Sequence, residues 1–227
     1  GAEEKLRRGG VLKIGTSSPR RGQNIPAFLS KALPRIGESS PRFELVDIRG
    51  NVNTRLSRVH EPRESDRYLD GVVLAFAGLI RLWADDKARI ELARLLSGVR
   101  WMVLPLRECP AAPAQGALAV ECRAEDSRVR ELLSKLHHPA TAERVARERQ
   151  LLADWGGGCH QKFGATVIEH VEFDSLLFVR GRKPDGDFVD ELRWRAPAEL
   201  PVQEGAPWEG SRWRESGRTE STGVSPA

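Results

Sequence analysis

The alternation of apolar and polar stretches predicts an α/β arrangement for the first half of the chain. Short apolar runs predict strands, and apolar residues at helical spacing predict helices between them. The predicted strands are 11–15, 43–48, 70–82 and 101–105, and the predicted helices are 19–33, 49–59 and 85–97. Because strands alternate with helices, we expect a lobe with a mainly parallel sheet.

The pattern changes in the second half of the chain. An apolar run predicts one more strand at 116–122, and two amphipathic stretches predict helices at 125–138 and 139–155. Three further strands follow, at 162–171, 175–181 and 188–195, and the last two are joined by the turn sequence RKPDGD. This order predicts a small α+β domain at the C-terminal end. Pro, Glu, Gly, Ser and Arg dominate residues 196–227, which we expect to be a linker or a disordered tail.

Composition narrows the class of protein. The net charge is only +4, from 36 basic and 32 acidic residues in 227, so a nucleic-acid contact surface is disfavoured. The three cysteines include no CxxC pair, which favours a reducing, cytoplasmic compartment. We expect Cys109 and Cys122 to be packing residues, and we expect His137 and His138 to cap a helix C-terminus rather than bind a metal. No apolar run is long enough for a membrane span, and the N-terminal residues lack the apolar core of a signal peptide.

Two predicted strand-to-helix junctions carry the residues suited to binding anions. The first is GTSSPRR (15–21) and the second is DIRGNVNTR (47–55). Helix N-termini attract anions, and guanidinium groups bind carboxylate or phosphate through two parallel hydrogen bonds. Both junctions follow the carboxyl ends of predicted strands, so we expect them to face one cleft. The pattern does not separate phosphate from carboxylate, and solvated arginines beside ordinary helix caps are the alternative interpretation.

The sequence GGGCHQKFGA (156–165) places a single cysteine, Cys159, directly after three glycines. Cysteine is usually buried, but glycines here favour a tight loop that leaves the sulfur accessible. Cys159 is therefore a candidate nucleophile or attachment point, and Lys162 would lower its pKa if it lay nearby. A half-buried structural thiol is the alternative.

Six segments together resemble the hydroxymethylbilane synthase (porphobilinogen deaminase) family over about residues 11–165. They occur in the order and approximate spacing of the family: GTSSPRR, DIRGNVNTRL, DGVVLAFAGLIRL, PAQGALAVECR, HHPATAERVARER and GGGCHQKFGA. The resemblance implies a transferase of tetrapyrrole and heme biosynthesis. Such an enzyme joins four porphobilinogen units into a linear tetrapyrrole and releases ammonia at each step.

The resemblance also implies a dipyrromethane cofactor attached covalently to Cys159. By the same resemblance, the cofactor-binding residues are Cys159, Ser18, Arg20, Arg21, Arg49 and Gly50. The substrate-binding residues are Arg55, Thr16, Ser17, Arg81, Gln115 and Gly116. No metal is implied, and the expected ligands are porphobilinogen and the growing polypyrrole. A non-catalytic module that binds a polycarboxylate or another polyanion is the alternative function.

The resemblance implies a division of the chain as well. Residues 1–113 correspond to a periplasmic-binding-protein-like α/β lobe, domain 2 of the family, and 114–138 to a returning segment of domain 1. Residues 139–195 correspond to the C-terminal α+β domain that anchors the cofactor. The family's SxKDxP-like loop, whose aspartate is catalytic, has no counterpart in this sequence. We therefore expect a monomer that is inactive alone, with a separate N-terminal chain or a fused module as the candidate protein partner.

Overall fold

The structure is a computed structural model that describes residues 2–35, 40–158, 160–195 and 214–217. In the first half, short parallel strands alternate with helices, as the pattern predicts. The elements are α1 (Ala2–Arg7), β1 (Leu12–Gly15), α2 (Pro19–Ala32), β2 (Phe43–Val46), α3 (Val52–Leu56), a 3-10 turn (Ser57–His60), β3 (Gly71–Val72), α4 (Phe76–Ala84) and α5 (Asp86–Leu96).

Strand β1 is the centre of a three-stranded parallel sheet with the order β2-β1-β3. Leu12 pairs with Phe43, and Gly15 pairs with both Val46 and Val72. Leu12 is almost fully buried, as is Ile25 on α2. The parallel sheet confirms the α/β prediction, and it brings the ends of β1 and β2 side by side.

The prediction of a strand over 70–82 is largely wrong. Only Gly71 and Val72 pair with β1, and the apolar run continues as helix α4. Leu79 and Leu82 pack against a core formed by Leu56, Leu92 and Leu95. A long apolar run fits a buried helix as well as a strand, so the position of its packing partners decides between them.

The predicted strands at 101–105 and 116–122 are also not formed. Among the described residues neither segment pairs with a strand. Their apolar side chains are mostly in solvent: Trp101, Val103, Leu118 and Val120 are each more than half exposed. The strand pattern is present in these segments, but no described neighbour supplies the hydrogen bonds of a ladder.

The C-terminal half combines helices with an antiparallel sheet, which is compatible with the α+β pattern expected there. It contains α6 (Ser127–Ser134), α7 (Pro139–Asp154), β4 (Phe163–Glu169), β5 (Ser175–Arg182), β6 (Phe188–Arg195) and β7 (Arg214–Gly217). The sheet is antiparallel, in the order β4-β5-β6-β7. Trp155, at the end of α7, packs against Phe163 with ring centroids 4.1 Å apart. Strand β7 falls within the tail expected to be a linker, so that expectation is wrong for these four residues; the rest of the tail lies outside the described residues.

Helix α2 joins the two halves. Asn24 is buried and donates a side-chain hydrogen bond of 3.2 Å to the carbonyl oxygen of Arg180 on β5. Arg20, one turn earlier, donates to the carbonyl oxygen of Pro110 in the segment between α5 and α6. Helix α2 therefore contacts both Pro110 and the C-terminal sheet.

Gly164 on β4 allows this close approach, and its replacement gives a first testable prediction. A Cβ atom at residue 164 would lie 2.7 Å from the carbonyl oxygen of Pro110 and 3.0 Å from Cδ of Arg20. We expect Gly164→Ala to lower the free energy of unfolding by about 2 kcal/mol, measured as a lower urea midpoint. Gly22→Ala on α2 is the matched control, because nothing lies within 4 Å of its Cβ position and alanine favours a helix. Equal midpoints for the two variants would contradict the packing argument.

Candidate functional site

A cavity of about 530 Å³ opens where the start of α2, the start of α3, the segment 112–115 and the residues around 158–163 meet. Seven of the site residues predicted from the sequence line it: Ser17, Ser18, Arg20, Arg21, Gly50, Arg55 and Gln115. Leu74, Ala112, Pro113, Gly158, Gln161 and Phe163 complete much of the wall. The two junctions therefore face one cavity.

The hydroxyl groups of Ser17 and Ser18 fix the first junction. The Ser17 hydroxyl accepts a hydrogen bond of 3.1 Å from the backbone N–H of Ile48 and donates to the carbonyl oxygen of the same residue. This contact ties the end of β1 to the residues that follow β2. Ser18 caps α2, and its oxygen accepts from the backbone N–H of Arg21 at 3.4 Å. Pro19 at the first position of α2 suits the same helix start.

Arg20 and Arg21 are both buried beside the cavity, with only 5% and 7% of their surfaces exposed. One Arg20 Nη atom contacts the carbonyl oxygen of Pro110 and lies 3.5 Å from Sγ of Cys109, while its Nε atom is buried without a hydrogen-bond partner. Arg21 donates a 2.8 Å hydrogen bond to the carbonyl oxygen of Val73. Within the described part of the chain, neither guanidinium group forms an ion pair with a carboxylate.

Burial changes the proton affinity of these groups. It lowers the pKa of Arg20, and together with the adjacent charge of Arg20 it lowers the pKa of Arg21 to about 10. Burial also raises the pKa of the neighbouring Cys109 thiol, so that thiol is poorly suited to supply a compensating negative charge. Two adjacent buried cations without a carboxylate partner are costly, and an anionic ligand would offset that cost.

The second junction places Arg55 and Gly50 on the cavity wall. Gly50 has φ of +110°, and a Cβ atom there would lie 2.8 Å from Cγ2 of Thr54, so glycine is required. Arg55 donates through Nε to the carbonyl oxygen of Gly50 at 2.7 Å. Asn51 caps α3 by accepting from the backbone N–H of Thr54 at 2.8 Å.

Four predicted site residues lie away from this cavity wall. The Arg49 side chain is 91% exposed and its Nε atom is 4.0 Å from a carboxylate oxygen of Asp47. Thr16 is buried and accepts a 3.3 Å hydrogen bond from the backbone N–H of Ser18. Arg81 is exposed on α4, and Gly116 lies beside Ala77 of the same helix.

Cys159 lies outside the described residues. Gly158 before it and Gln161 after it both line the cavity. Gly156, Gly157 and Gly158 have φ values of +88°, +67° and +88°, which glycine adopts readily and other residues rarely do. The flanking residues thus bring the chain to the cavity on both sides of the candidate attachment point.

Sequence reasoning missed Glu148 on α7, which is 7% exposed although it is charged. Its carboxylate accepts hydrogen bonds from the backbone N–H groups of Ala114 and Val167. The available signal was its spacing, because Glu148 lies three and four residues before Leu151 and Leu152, which pack against the C-terminal core.

Three smaller predictions concern the other cysteines and a histidine. Cys109 is buried, as predicted, but Cys122 is exposed, so a packing role for Cys122 is wrong. His138 does not cap a helix C-terminus. Its Nδ1 atom accepts from the backbone N–H of Thr141 at the N-terminus of α7, at 3.2 Å.

Of the helices described, none has the length and apolar character needed to cross a membrane.

Comparison of the sequence with known proteins identifies the family to which the chain belongs. The family described as "Porphobilinogen deaminase, dipyromethane cofactor binding domain" matches residues 4–131. The porphobilinogen deaminase of Mycobacteroides abscessus is 41% identical over 167 residues, which cover 73% of this chain and 45% of that protein. The protein of the same name from Mycobacterium avium is 40% identical over 167 residues, 73% of this chain and 44% of the relative.

The chain thus spans less than half the length of these curated relatives. The matched residues include both arginine junctions and α5, and they extend through the segment 112–115 on the cavity wall. The resemblance seen in the six sequence segments is confirmed: this chain belongs to the porphobilinogen deaminase family.

Proposed function

We propose that this chain is the part of a porphobilinogen deaminase (hydroxymethylbilane synthase) that binds the dipyrromethane cofactor and the growing polypyrrole. The enzyme is a transferase that joins four porphobilinogen units and releases one ammonia for each unit. The observation that carries the proposal is the pair of buried guanidinium groups, Arg20 and Arg21, on the wall of a cavity flanked by Gly158 and Gln161.

The residues present fit a dipyrromethane. Each pyrrole ring carries an acetate and a propionate, so the group presents several carboxylates. The buried Nε atom of Arg20 is a donor without a partner, and Arg20 and Arg21 are cations without a carboxylate partner among the described residues. A carboxylate satisfies both requirements, because it supplies acceptor oxygens and negative charge together.

We assign cofactor binding to Cys159, Ser18, Arg20, Arg21, Arg49 and Gly50. When bound, the cofactor supplies the pyrrole carbon to which the next unit is joined. The role of this chain is to hold carboxylates beside the buried guanidinium groups of Arg20 and Arg21, where the attraction between charges is stronger than in bulk water. Because the pKa of Arg21 remains near 10, its guanidinium group keeps its proton at neutral pH and needs no titration to act.

We assign the incoming substrate and the lengthening product to Arg55, Thr16, Ser17, Arg81, Gln115 and Gly116. Of these, Arg55, Ser17 and Gln115 line the cavity, and Arg55 adds a third guanidinium group to it. Each condensation adds two more carboxylates, so a cavity with several cations suits a polyanion that grows in place.

The same proposal includes the division of the chain. Residues 1–113 are a periplasmic-binding-protein-like lobe, 114–138 a returning segment of domain 1, and 139–195 the domain that anchors the cofactor. Residues 196–213 and 218–227 are a linker or a disordered tail. Domain 1 of the family, on a separate or a connected polypeptide, is the proposed protein partner. The proposed location is the cytoplasm, which fits the free thiols of Cys109 and Cys122.

Intact-mass spectrometry tests the function. The chain is incubated with preformed hydroxymethylbilane and then denatured, because building the cofactor from porphobilinogen needs the condensation that this chain is not expected to catalyse alone. Loss of water from the hydroxymethyl group lets the Cys159 sulfur bond to that carbon, so we expect an added mass of four pyrrole units that survives denaturation. An unchanged mass would overturn the proposal. If the unmodified chain still bound porphobilinogen reversibly, it would be a polycarboxylate-binding module instead.

A further inference from the structure

Glu148 is a buried carboxylate that bridges two parts of the backbone. It lies on α7, where its side chain faces away from solvent. One oxygen, Oε2, accepts from the backbone N–H of Ala114 at 2.6 Å, and the other, Oε1, accepts from the backbone N–H of Val167 on β4 at 2.7 Å. In the described part of the chain Glu148 forms no ion pair, and both of its oxygens accept hydrogen bonds from backbone N–H groups.

The contact to Ala114 falls at an unusual point of the main chain. Ala114 has φ of +62°, and it is the only residue other than glycine with a positive φ in the ranges described. That conformation costs roughly 1–2 kcal/mol for a residue with a Cβ atom. A hydrogen bond to a charged acceptor is of comparable size and offsets the cost. Ala112, Pro113 and Gln115, which surround Ala114, line the cavity.

Two further bonds attach the same segment to β4. The backbone N–H of Ala111 donates to the Thr166 hydroxyl at 2.7 Å, and the backbone N–H of Ala165 donates to the carbonyl oxygen of Ala111 at 3.1 Å. The preceding carbonyl oxygen, that of Pro110, accepts from the Arg20 guanidinium group. The position of residues 110–115 along β4 thus determines both the cavity wall and one contact of Arg20.

We propose that Glu148 is a positioning residue, which holds the segment 110–115 against β4 and so sets the shape of the cavity wall formed by Ala112, Pro113 and Gln115. The identity of the ligand as a pyrrole rests on the proposed function. The contacts of Glu148 are independent of that function. Both oxygens face N–H donors, so the ionised carboxylate is the form that fits. A protonated carboxyl group would turn an O–H toward one of those donors.

Hydrogen exchange tests the positioning role without any ligand. Glu148→Gln leaves one acceptor oxygen for two donors, and we expect amide exchange in residues 110–117 to become at least about tenfold faster. Exchange in β5 should change less than threefold, because the sheet keeps its own ladder. Glu143→Gln is the matched control, since it removes a charge from the exposed side of the same helix. Equal acceleration in β5 and in 110–117 would show a general structural role and overturn the proposal.

If the Glu148→Gln chain fails to fold, a second measurement on the unmodified chain still tests the proposal. In the unmodified chain, the Ala114 amide should exchange at least about a hundredfold more slowly than an unstructured amide, although it lies outside helices and strands. Exchange at the unstructured rate would overturn the proposal.

Ligand binding separates this inference from the proposed function. We expect Glu148→Gln to raise the Kd for porphobilinogen at least fivefold, with Glu143→Gln unchanged. If the unmodified chain bound no porphobilinogen but the exchange pattern were as expected, the proposed function would fail and the positioning role would remain. If the exchange pattern were as expected and the Kd did not rise, the link from Glu148 to the cavity would be wrong.

Discussion

Arg21→Met should weaken binding of porphobilinogen by at least about 100-fold while the empty chain becomes more stable. Arg21 is buried on the cavity wall, and loss of one partner from a buried charge pair commonly costs 2–5 kcal/mol or more. In the empty chain no described carboxylate pairs with it, so methionine of similar length removes an uncompensated charge. Isothermal titration measures the first effect, and the thermal midpoint measures the second.

The sign of the stability change follows from the pKa of Arg21. Burial lowers that pKa from the ordinary value of a guanidinium group to about 10, so at neutral pH the bound proton destabilises the folded chain relative to the unfolded one. The penalty is present below pH 10 and is lost as the pH rises from about 10 toward the ordinary pKa of a guanidinium group, because over that range the unfolded chain binds more protons than the folded one. The shift corresponds to about 3 kcal/mol. Arg21→Met also loses the hydrogen bond to Val73, which reduces the expected stabilisation by about 1 kcal/mol.

Lys31→Met is the matched control for Arg21→Met. Lys31 lies in the last turn of the same helix, is exposed, and is not part of the cavity wall. It should leave the Kd for porphobilinogen within about twofold and the thermal midpoint nearly unchanged. A comparable loss of binding in both variants would mean that net charge, rather than the buried site, attracts the ligand.

Cys159→Ser should abolish covalent attachment of the pyrrole cofactor completely. A thiolate forms at accessible pH and is strongly nucleophilic, whereas a serine hydroxyl requires a general base to react. The intact mass of the denatured variant should equal that of the polypeptide alone. Reversible binding of porphobilinogen should persist within about threefold, because the guanidinium groups at the cavity are unchanged.

Cys122→Ser controls for reaction at any accessible thiol. Cys122 is exposed and free, so unspecific alkylation by a reactive pyrrole would reach it as well. We expect full cofactor mass in Cys122→Ser. Loss of added mass in this variant, or its retention in Cys159→Ser, would place the attachment point elsewhere.

Much of the fold follows from local pattern. Leu12 and Ile14 alternate with neighbours in a short strand, and Ser18 with Pro19 specifies the start of α2, so β1 and α2 are predictable from sequence alone. The antiparallel sheet is predictable for the same reason, because 175–181 and 188–195 flank a turn. Where an apolar run could pack either as a strand or as a helix, the sequence pattern does not decide between the two. The run at 70–82 becomes mostly α4 because Leu79 and Leu82 pack on α5.

The candidate site was predictable where parallel strands dictate proximity. Adjacent parallel strands put Ser17 and Gly50 at the same edge of the sheet, and seven of the predicted residues line one cavity. Arg49 is a predicted site residue that does not line the cavity. Its side chain is exposed to solvent, although the adjacent Gly50 does line the cavity. Glu148 was not predictable in its role, since its two partners, Ala114 and Val167, lie 34 and 19 residues away along the chain.

The packing of α2 limits how the molecule can make room for a longer ligand. One end of this helix forms the cavity wall through Arg20 and Arg21, and Asn24 is bonded to β5 on the far side. Movement of the first lobe away from the C-terminal sheet would break the Asn24 bond to β5, and movement away from the segment at Pro110 would break the Arg20 contact. If the proposed function is right, we therefore expect added pyrrole rings to extend out of the cavity while α2 keeps its position.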